Sequence, residues 1–225
     1  MDNASLHHAI VTSILARQRA PKVAELASRF NRSEREVRAG LRALAADHGV
    51  VLHPTSDEIW IAHPFSTVPT PFVVRARSCA WWGNCAWCSL GIAFLVGGSA
   101  AIETRIGALD EPVTIRTKRG RILDKNFVVH FPVPMRQAWD NVLYTCSVML
   151  LFQDEAQVNA WCAERGVQKG DVRPIEQVWR FAAEWYARHA DADWTKLSTH
   201  EARCLFEKHA LTGPIWELPT EAKRF

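Results

Sequence analysis

Apolar residues recur at helical intervals through the first part of the chain. The pattern covers residues 5–17, 23–30 and 34–48 and predicts three short amphipathic helices. Asn31 and Ser33 precede the third of these helices. They are candidates for its N-cap, because their side-chain oxygens accept hydrogen bonds from unpaired backbone N–H groups. The N-terminal segment is therefore predicted to be a small helical unit.

A hairpin is predicted directly after these helices. Two apolar runs, residues 50–53 and 58–62, flank a turn of polar and Pro residues at 54–57. Three helices followed by a hairpin are typical of a winged helix, so we predict a winged-helix-like N-terminal domain over residues 1–66. The Pro- and Thr-containing stretch at residues 64–71 marks its boundary by composition.

The longer C-terminal part mixes strand and helix patterns. The predicted elements are strands over residues 101–106, 113–117 and 126–131, a helix or strand over 142–152, and helices over 155–165 and 175–189. We therefore predict an α+β fold in which residues 67–225 form a second, mixed α/β domain.

Composition and charge narrow the classes of function. The chain has 225 residues, of which 48% are hydrophobic, enough for a sizeable core without disulfide bonds. Its formal net charge of +3 gives a weak positive field rather than a strongly basic surface. Four arginines, Arg32, Arg35, Arg38 and Arg42, lie in or near the third predicted helix, and we expect them to form a solvated face. DNA is therefore not an expected partner.

Nothing in the sequence pattern predicts a membrane protein or a secreted one. The longest apolar run, residues 92–96, is far shorter than the roughly 20 residues that span a bilayer. Residues 1–8 lack the basic and apolar regions of a secretory signal. We expect a cytoplasmic protein, in which cysteines stay reduced. The candidate thiols or metal ligands are Cys79, Cys85, Cys88, Cys146, Cys162 and Cys204.

The most informative group of residues is Cys79-x5-Cys85-x2-Cys88 with the distant Cys146. Thiolates are strong nucleophiles and soft ligands that select soft metals. The apolar, helix-compatible run that follows Cys88 places this cysteine near a helix entrance, where unpaired N–H groups favour the thiolate. This position suits Cys88 for attack or for metal binding.

Other interpretations of the cysteines stay open. Cysteine packs like a small hydrophobe, and we expect Cys162 and Cys204 to be ordinary buried residues of this kind. The Cys85/Cys88 pair is also half of a structural zinc site, but no second pair at matching distance completes it. A thioredoxin-like pair is disfavoured because the preceding βαβ pattern is missing.

Two segments around the cysteines resemble the organomercurial (alkylmercury) lyases. Residues 87–90, Trp-Cys-Ser-Leu, are similar to the first active-site segment of that family. Cys146-x5-Phe152-x8-Trp161 is similar to the segment that carries its second essential cysteine, and residues 111–115 resemble its Pro-Val strand. The resemblance covers most of the chain.

The resemblance implies an alkylmercury-lyase-like domain and protonolysis of a carbon–mercury bond. In such a reaction two thiolates bind mercury and a nearby acid protonates the departing carbon. Carried over to this chain, Cys88 and Cys146 bind the metal and are catalytic. The expected partner is a small organometallic substrate or a soft metal ion, and no cofactor is expected. The N-terminal segment is then a structural cover.

One position departs from the family's pattern. The family has an Asp three residues after the first cysteine as proton carrier, whereas this chain has Gly91, which has no group to donate. We predict that Cys85, three residues before Cys88, is the catalytic substitute, because both lie on one local surface in a turn or helix.

Two alternatives remain. A divergent homologue would bind metal, or act on another substrate, through the same cysteines. A metal-responsive winged-helix regulator would bind DNA through the arginine-bearing helix.

Overall fold

Helices surround two antiparallel sheets in the computed structural model, which describes residues 2–219. The α-helices in this range are α1 (Asn3–Arg17), α2 (Val23–Phe30), α3 (Glu34–Ala46), α4 (Ala86–Leu95), α5 (Val142–Val148), α6 (Glu155–Arg165), α7 (Ile175–Tyr186) and α8 (Thr199–Lys208). The strands are β1 (Val51–Leu52), β2 (Ile59–Ala62), β3 (Phe65–Ser66), β4 (Val73–Ala76), β5 (Cys79–Gly83), β6 (Ala100–Arg105), β7 (Pro112–Lys118), β8 (Arg121–Ile122), β9 (Val128–Phe131), β10 (Leu151–Phe152) and β11 (Asp171–Pro174). No helix among residues 2–219 is long and apolar enough to cross a membrane.

The three N-terminal helices form where the apolar pattern predicts them. Ser33 caps α3 by accepting from the N–H of Glu36, while the Glu36 side chain accepts from the N–H of Ser33, a reciprocal capping box. Asn31, the other N-cap candidate, instead ends α2 in the left-handed conformation. The apolar faces of these helices are buried, as Leu6 and Leu41 illustrate.

The predicted hairpin becomes one end of a larger sheet. β1 pairs with β2, β2 pairs with β3, and β3 pairs with β5, all antiparallel. The sheet order is β1-β2-β3-β5-β4-β6-β7-β8. The mixed α/β fold class is confirmed. Because β3 lies inside the stretch predicted as a boundary, strand pairing continues across it. The winged-helix assignment and the division into residues 1–66 and 67–225 stay predictions.

Helix α4 lies between the larger sheet and α7. Every residue from 86 to 93 is buried, and a helix that is apolar all round must be covered on all sides. The strands β4, β5 and β6 cover one side, and α7 covers another. This central position brings the N-terminal end of α4, with its cysteines, into the interior.

The sequence pattern did not predict every element, or the end of every element, as the structure has them. Residues 142–152 combine both predicted alternatives, since α5 is followed by strand β10. Short apolar runs do not distinguish a helix from a strand. Helix α7 ends at Tyr186 rather than at residue 189, and the pattern did not predict α8.

A buried hydrogen bond connects the N-terminal helices to the large sheet. The indole N–H of Trp81 on β5 donates to the carbonyl of Ile14 on α1 over 2.8 Å. The bond joins residues far apart in sequence, so it helps to fix α1 against the sheet. Its neighbour Trp82 is only half-buried.

We predict that Trp81→Phe lowers the free energy of unfolding by about 1–3 kcal/mol, because it removes this hydrogen bond and leaves unfilled volume. Urea-induced unfolding measures the loss. Trp82→Phe is the matched control and should cost less. Equal losses in the two variants would contradict a special contribution of the Trp81–Ile14 bond.

Three of the four arginines in or near α3 form ion pairs with carboxylates. Arg32 lies 3.6 Å from Glu36, and Arg38 lies 3.4 Å from Glu34. Arg42 forms an ion pair with Asp57 in the turn between β1 and β2. Such pairs neutralise part of the positive charge that phosphates would otherwise meet.

We therefore predict no sequence-specific DNA binding. Fluorescence anisotropy with labelled duplexes should show at most weak binding at low salt that disappears near physiological salt, as expected for a purely ionic contact. Sub-micromolar, sequence-dependent binding at physiological salt would overturn this prediction and favour the regulator hypothesis.

Candidate functional site

Two cysteines define the N-terminal end of α4. Cys85 is the N-cap residue, and its sulfur accepts a hydrogen bond from the N–H of Cys88 over 3.4 Å. Both side chains are buried. The predicted helix entrance is confirmed, and Cys88 lies in the first turn, where unpaired N–H groups favour an anion.

Hydrogen bonds to the backbone hold two distant loops against this helix end. The N–H of Ala86 donates to the carbonyl of Met149, just after α5, over 3.1 Å. The side-chain amide of Asn84 donates to the carbonyl of Pro64, between β2 and β3, also over 3.1 Å. The loops after α5 and after β2 are therefore both fixed beside the cysteines.

Three potential metal ligands meet at this point. The sulfurs of Cys88 and Cys146 and a ring nitrogen of His63 all lie within 4.8 Å of one another. His63 Nε2 is 3.9 Å from the Cys146 sulfur, and His63 Nδ1 is a buried atom with no hydrogen-bond partner among the described residues. The sequence analysis missed His63, because no other histidine or cysteine stands near it at ligand spacing. Cys79, on β5, is not part of this group.

The thiols of Cys85, Cys88 and Cys146 differ in the direction in which their pKa values are shifted. Burial raises the pKa of Cys85, and hydrogen bonds to the neighbouring thiols add to this effect. Burial alone would also raise the pKa of Cys88, but hydrogen bonds from Cys146, Cys85 and Tyr186 lower it well below its ordinary value. For Cys146, the bond to Cys85 lowers the pKa, but the bond to Cys88 and burial outweigh it and raise the pKa. Cys88 is therefore the thiol that loses its proton most readily, whereas Cys85 and Cys146 hold theirs more tightly.

The imidazole of His63 is neutral at neutral pH. Burial lowers its pKa to about 4, since the charged ring is poorly solvated in this position. A neutral imidazole has a lone pair available for a metal. Two sulfurs and one such nitrogen form a donor set that suits a soft metal ion.

The space beside Gly91 is occupied by an aromatic ring. A Cβ atom added at Gly91 would stand 2.2 Å from Cδ2 of Tyr186, so no larger residue fits without moving that ring. Tyr186 is buried at the end of α7, and its hydroxyl lies 3.5 Å from the Cys88 sulfur. Burial raises the pKa of Tyr186 well above its ordinary value, and the nearby Cys88 charge acts in the same direction. The sequence analysis did not identify Tyr186, which is 98 residues from Cys88.

A small cavity of about 50 Å³ opens beside the sulfurs. The apolar part of its lining consists of Trp87, Met135, Ala138, Trp139, Val142, Met149 and Trp185. Lys196 also borders the cavity, with its ammonium 4.0 Å from the centre of the Trp139 ring, and burial lowers the pKa of this lysine to about 7. Trp87 borders the cavity, whereas Trp81 and Trp82, which precede it in the sequence, are not among its lining residues.

The two remaining cysteines lie elsewhere. Cys162 on α6 is buried, as predicted, and its sulfur is 3.7 Å from His130 Nε2. Cys204 on α8 was predicted to be buried but is exposed, beside His200. The helical period of α8 turns Cys204 outwards, while Ala202 and Phe206 form its buried face.

The chain is similar in sequence and in fold to one known family of proteins. The family model "MerB: Alkylmercury lyase" matches residues 65–187, more than half of the chain. A solved structure titled "Crystal structure of the mercury-bound form of MerB2" has a similar fold, with a TM-score of 0.66 and 18% sequence identity over 82% of this chain and 91% of that chain. No curated protein sequence matches the chain. From the family match, together with the shared fold, we conclude that the chain belongs to the alkylmercury lyase family.

Proposed function

We propose that this protein binds a small organomercurial through Cys88 and Cys146 and cleaves its carbon–mercury bond by protonation. One observation carries the proposal: in a member of a lyase family, two buried sulfurs and a neutral imidazole lie within 4.8 Å of one another. Metal–thiolate bonds of about 2.3 Å are compatible with this spacing.

The first step is capture of the metal. The Cys88 thiolate attacks mercury and displaces its exchangeable ligand, since the thiolate is the nucleophilic form of cysteine. Cys146 then becomes the second sulfur ligand, and its proton passes to the ligand that Cys88 displaced from the metal. Two thiolates increase the electron density on the metal and weaken its bond to carbon. His63 is positioned to add a third, weaker contact from its nitrogen.

The second step needs a proton from a group that does not bind the metal. The electron pair of the carbon–mercury bond becomes the new carbon–hydrogen bond, and mercury remains divalent on the two sulfurs. No electrons are gained or lost, so the step requires no redox cofactor. Cys85 is the proton source predicted from sequence, and its raised pKa means that it keeps its proton at neutral pH.

The absence of a carboxylate at position 91 favours a second candidate function. In it, the same thiols bind an organomercurial or a soft metal ion and hold it without cleavage. Both functions use the same ligands, and release of the hydrocarbon distinguishes them.

We predict that Cys88→Ser and Cys146→Ser each reduce methane release from methylmercury to the rate without protein, because each removes one of two metal-binding sulfurs. Headspace gas chromatography measures the methane, with excess small thiol present to compete for surface sites. Cys204→Ser removes an exposed cysteine outside the site and should behave as the unaltered protein.

Stoichiometric methylmercury binding by the unaltered protein, with no methane released, would overturn the lyase proposal. It would instead support sequestration.

The cavity volume predicts a preference for small organic groups. An apolar cavity of about 150 Å³ binds benzene, whereas the cavity here measures about 50 Å³. We predict that kcat/KM for methylmercury exceeds that for phenylmercury by roughly tenfold or more. Val142→Ala widens the cavity and should narrow the ratio. Faster cleavage of phenylmercury by the unaltered protein would contradict the prediction.

A further inference from the structure

An aromatic ring lies against Gly91, the position at which the family resemblance implies a carboxylate. A Cβ at Gly91 would come within 2.2 Å of the Tyr186 ring, as would the first side-chain atom of an Asp. The ring carries its hydroxyl to 3.5 Å from the Cys88 sulfur. An O–H group therefore lies beside the sulfur that captures mercury, in a part of the site where Gly91 offers no donor.

We propose that Tyr186 is the acid that protonates the departing carbon, a role that rests on the proposed carbon–mercury cleavage. A phenol has an ordinary pKa of about 10 and therefore carries its proton at neutral pH. Tyr186 is buried, with no carboxylate bonded to its hydroxyl among the described residues. Its proton is therefore held close to the site rather than exchanged with a neighbouring acid.

Ligand chemistry favours the phenol over the Cys85 thiol as the acid. Mercury is a soft metal that binds sulfur strongly, so a third thiol beside it is prone to lose its proton and become a ligand. A hard phenol oxygen competes poorly for mercury and keeps its proton for carbon.

Lys196 also borders the cavity, and because burial lowers its pKa to about 7, it is only partly protonated at neutral pH. Its ammonium lies over the face of Trp139, 4.0 Å from the ring centre. This cation–π contact holds its charge on the aromatic ring. The hydroxyl of Tyr186, in contrast, has the Cys88 sulfur as its bonding partner.

The proton transfer balances without a further reagent. When mercury binds Cys88, the sulfur lone pair is used by the metal and the phenol is released from its hydrogen bond. The O–H bond of Tyr186 breaks as the carbon–hydrogen bond forms, and the carbon–mercury electron pair goes into the new bond. The phenolate that remains takes a proton from water, and incoming small thiols remove the divalent mercury.

The test compares Tyr186→Phe with the unaltered protein. Each is loaded with one equivalent of methylmercury, desalted, and assayed for bound mercury by atomic absorption and for methane by gas chromatography. We expect full binding but methane release slower by about 10²–10⁴-fold, the usual contribution of a general acid. Tyr144→Phe is the matched control, since Tyr144 is the other tyrosine of the chain and is 49% exposed. It should release methane at the unaltered rate.

Three results would overturn the inference. Methane release at the unaltered rate in Tyr186→Phe shows that the phenol is not the acid. If Cys85→Ser also loses methane release in the same assay, the proton comes from Cys85. Loss of both binding and release in Tyr186→Phe shows a structural role. Absence of release from the unaltered protein removes the proposed function as well, so the two failures are distinguishable.

Discussion

The site depends on how the buried N-terminal end of α4 satisfies its backbone N–H groups. A helix that is apolar on every side must lie in the interior, where water does not reach these donors. The Cys85 sulfur accepts from one of them, and the Met149 carbonyl accepts from another. Met149 lies just after α5, the helix that bears Cys146. The hydrogen bond that satisfies the second donor therefore also holds Cys146 beside α4.

The surroundings of this helix end are apolar, and they set the charge state of the groups within. An apolar environment disfavours ions, so His63 stays neutral. The helix end and hydrogen-bond donors favour the thiolate of Cys88, and they lower its pKa in spite of burial. Such a site offers a single strong nucleophile to an uncharged or weakly charged organometallic compound.

Local elements could be predicted from the sequence, and long-range contacts could not. Helical periodicity placed α1 to α3 and α6, and the cysteine spacing placed Cys88 at a helix entrance, because these features depend on neighbours in the chain. The resemblance to a family singled out Cys146. His63 and Tyr186 gave no local signal, since each reaches the site through the packing of a distant strand or helix. The Tyr186 ring fills the space that a side chain at position 91 would need. This contact depends on the packing of α7 on α4, which the sequence pattern does not reveal.

The position of His63 bears on how this protein can be divided. The region that matches the family begins at residue 65, two residues after the imidazole that meets the sulfurs. A fragment trimmed to that region would keep Cys88 and Cys146 but lose the nitrogen donor and the β1–β2 hairpin with it. It would also lose Lys196 from the rim of the cavity. A fragment that retains the complete site must therefore extend beyond both ends of the region that matches the family, to include His63 and Lys196.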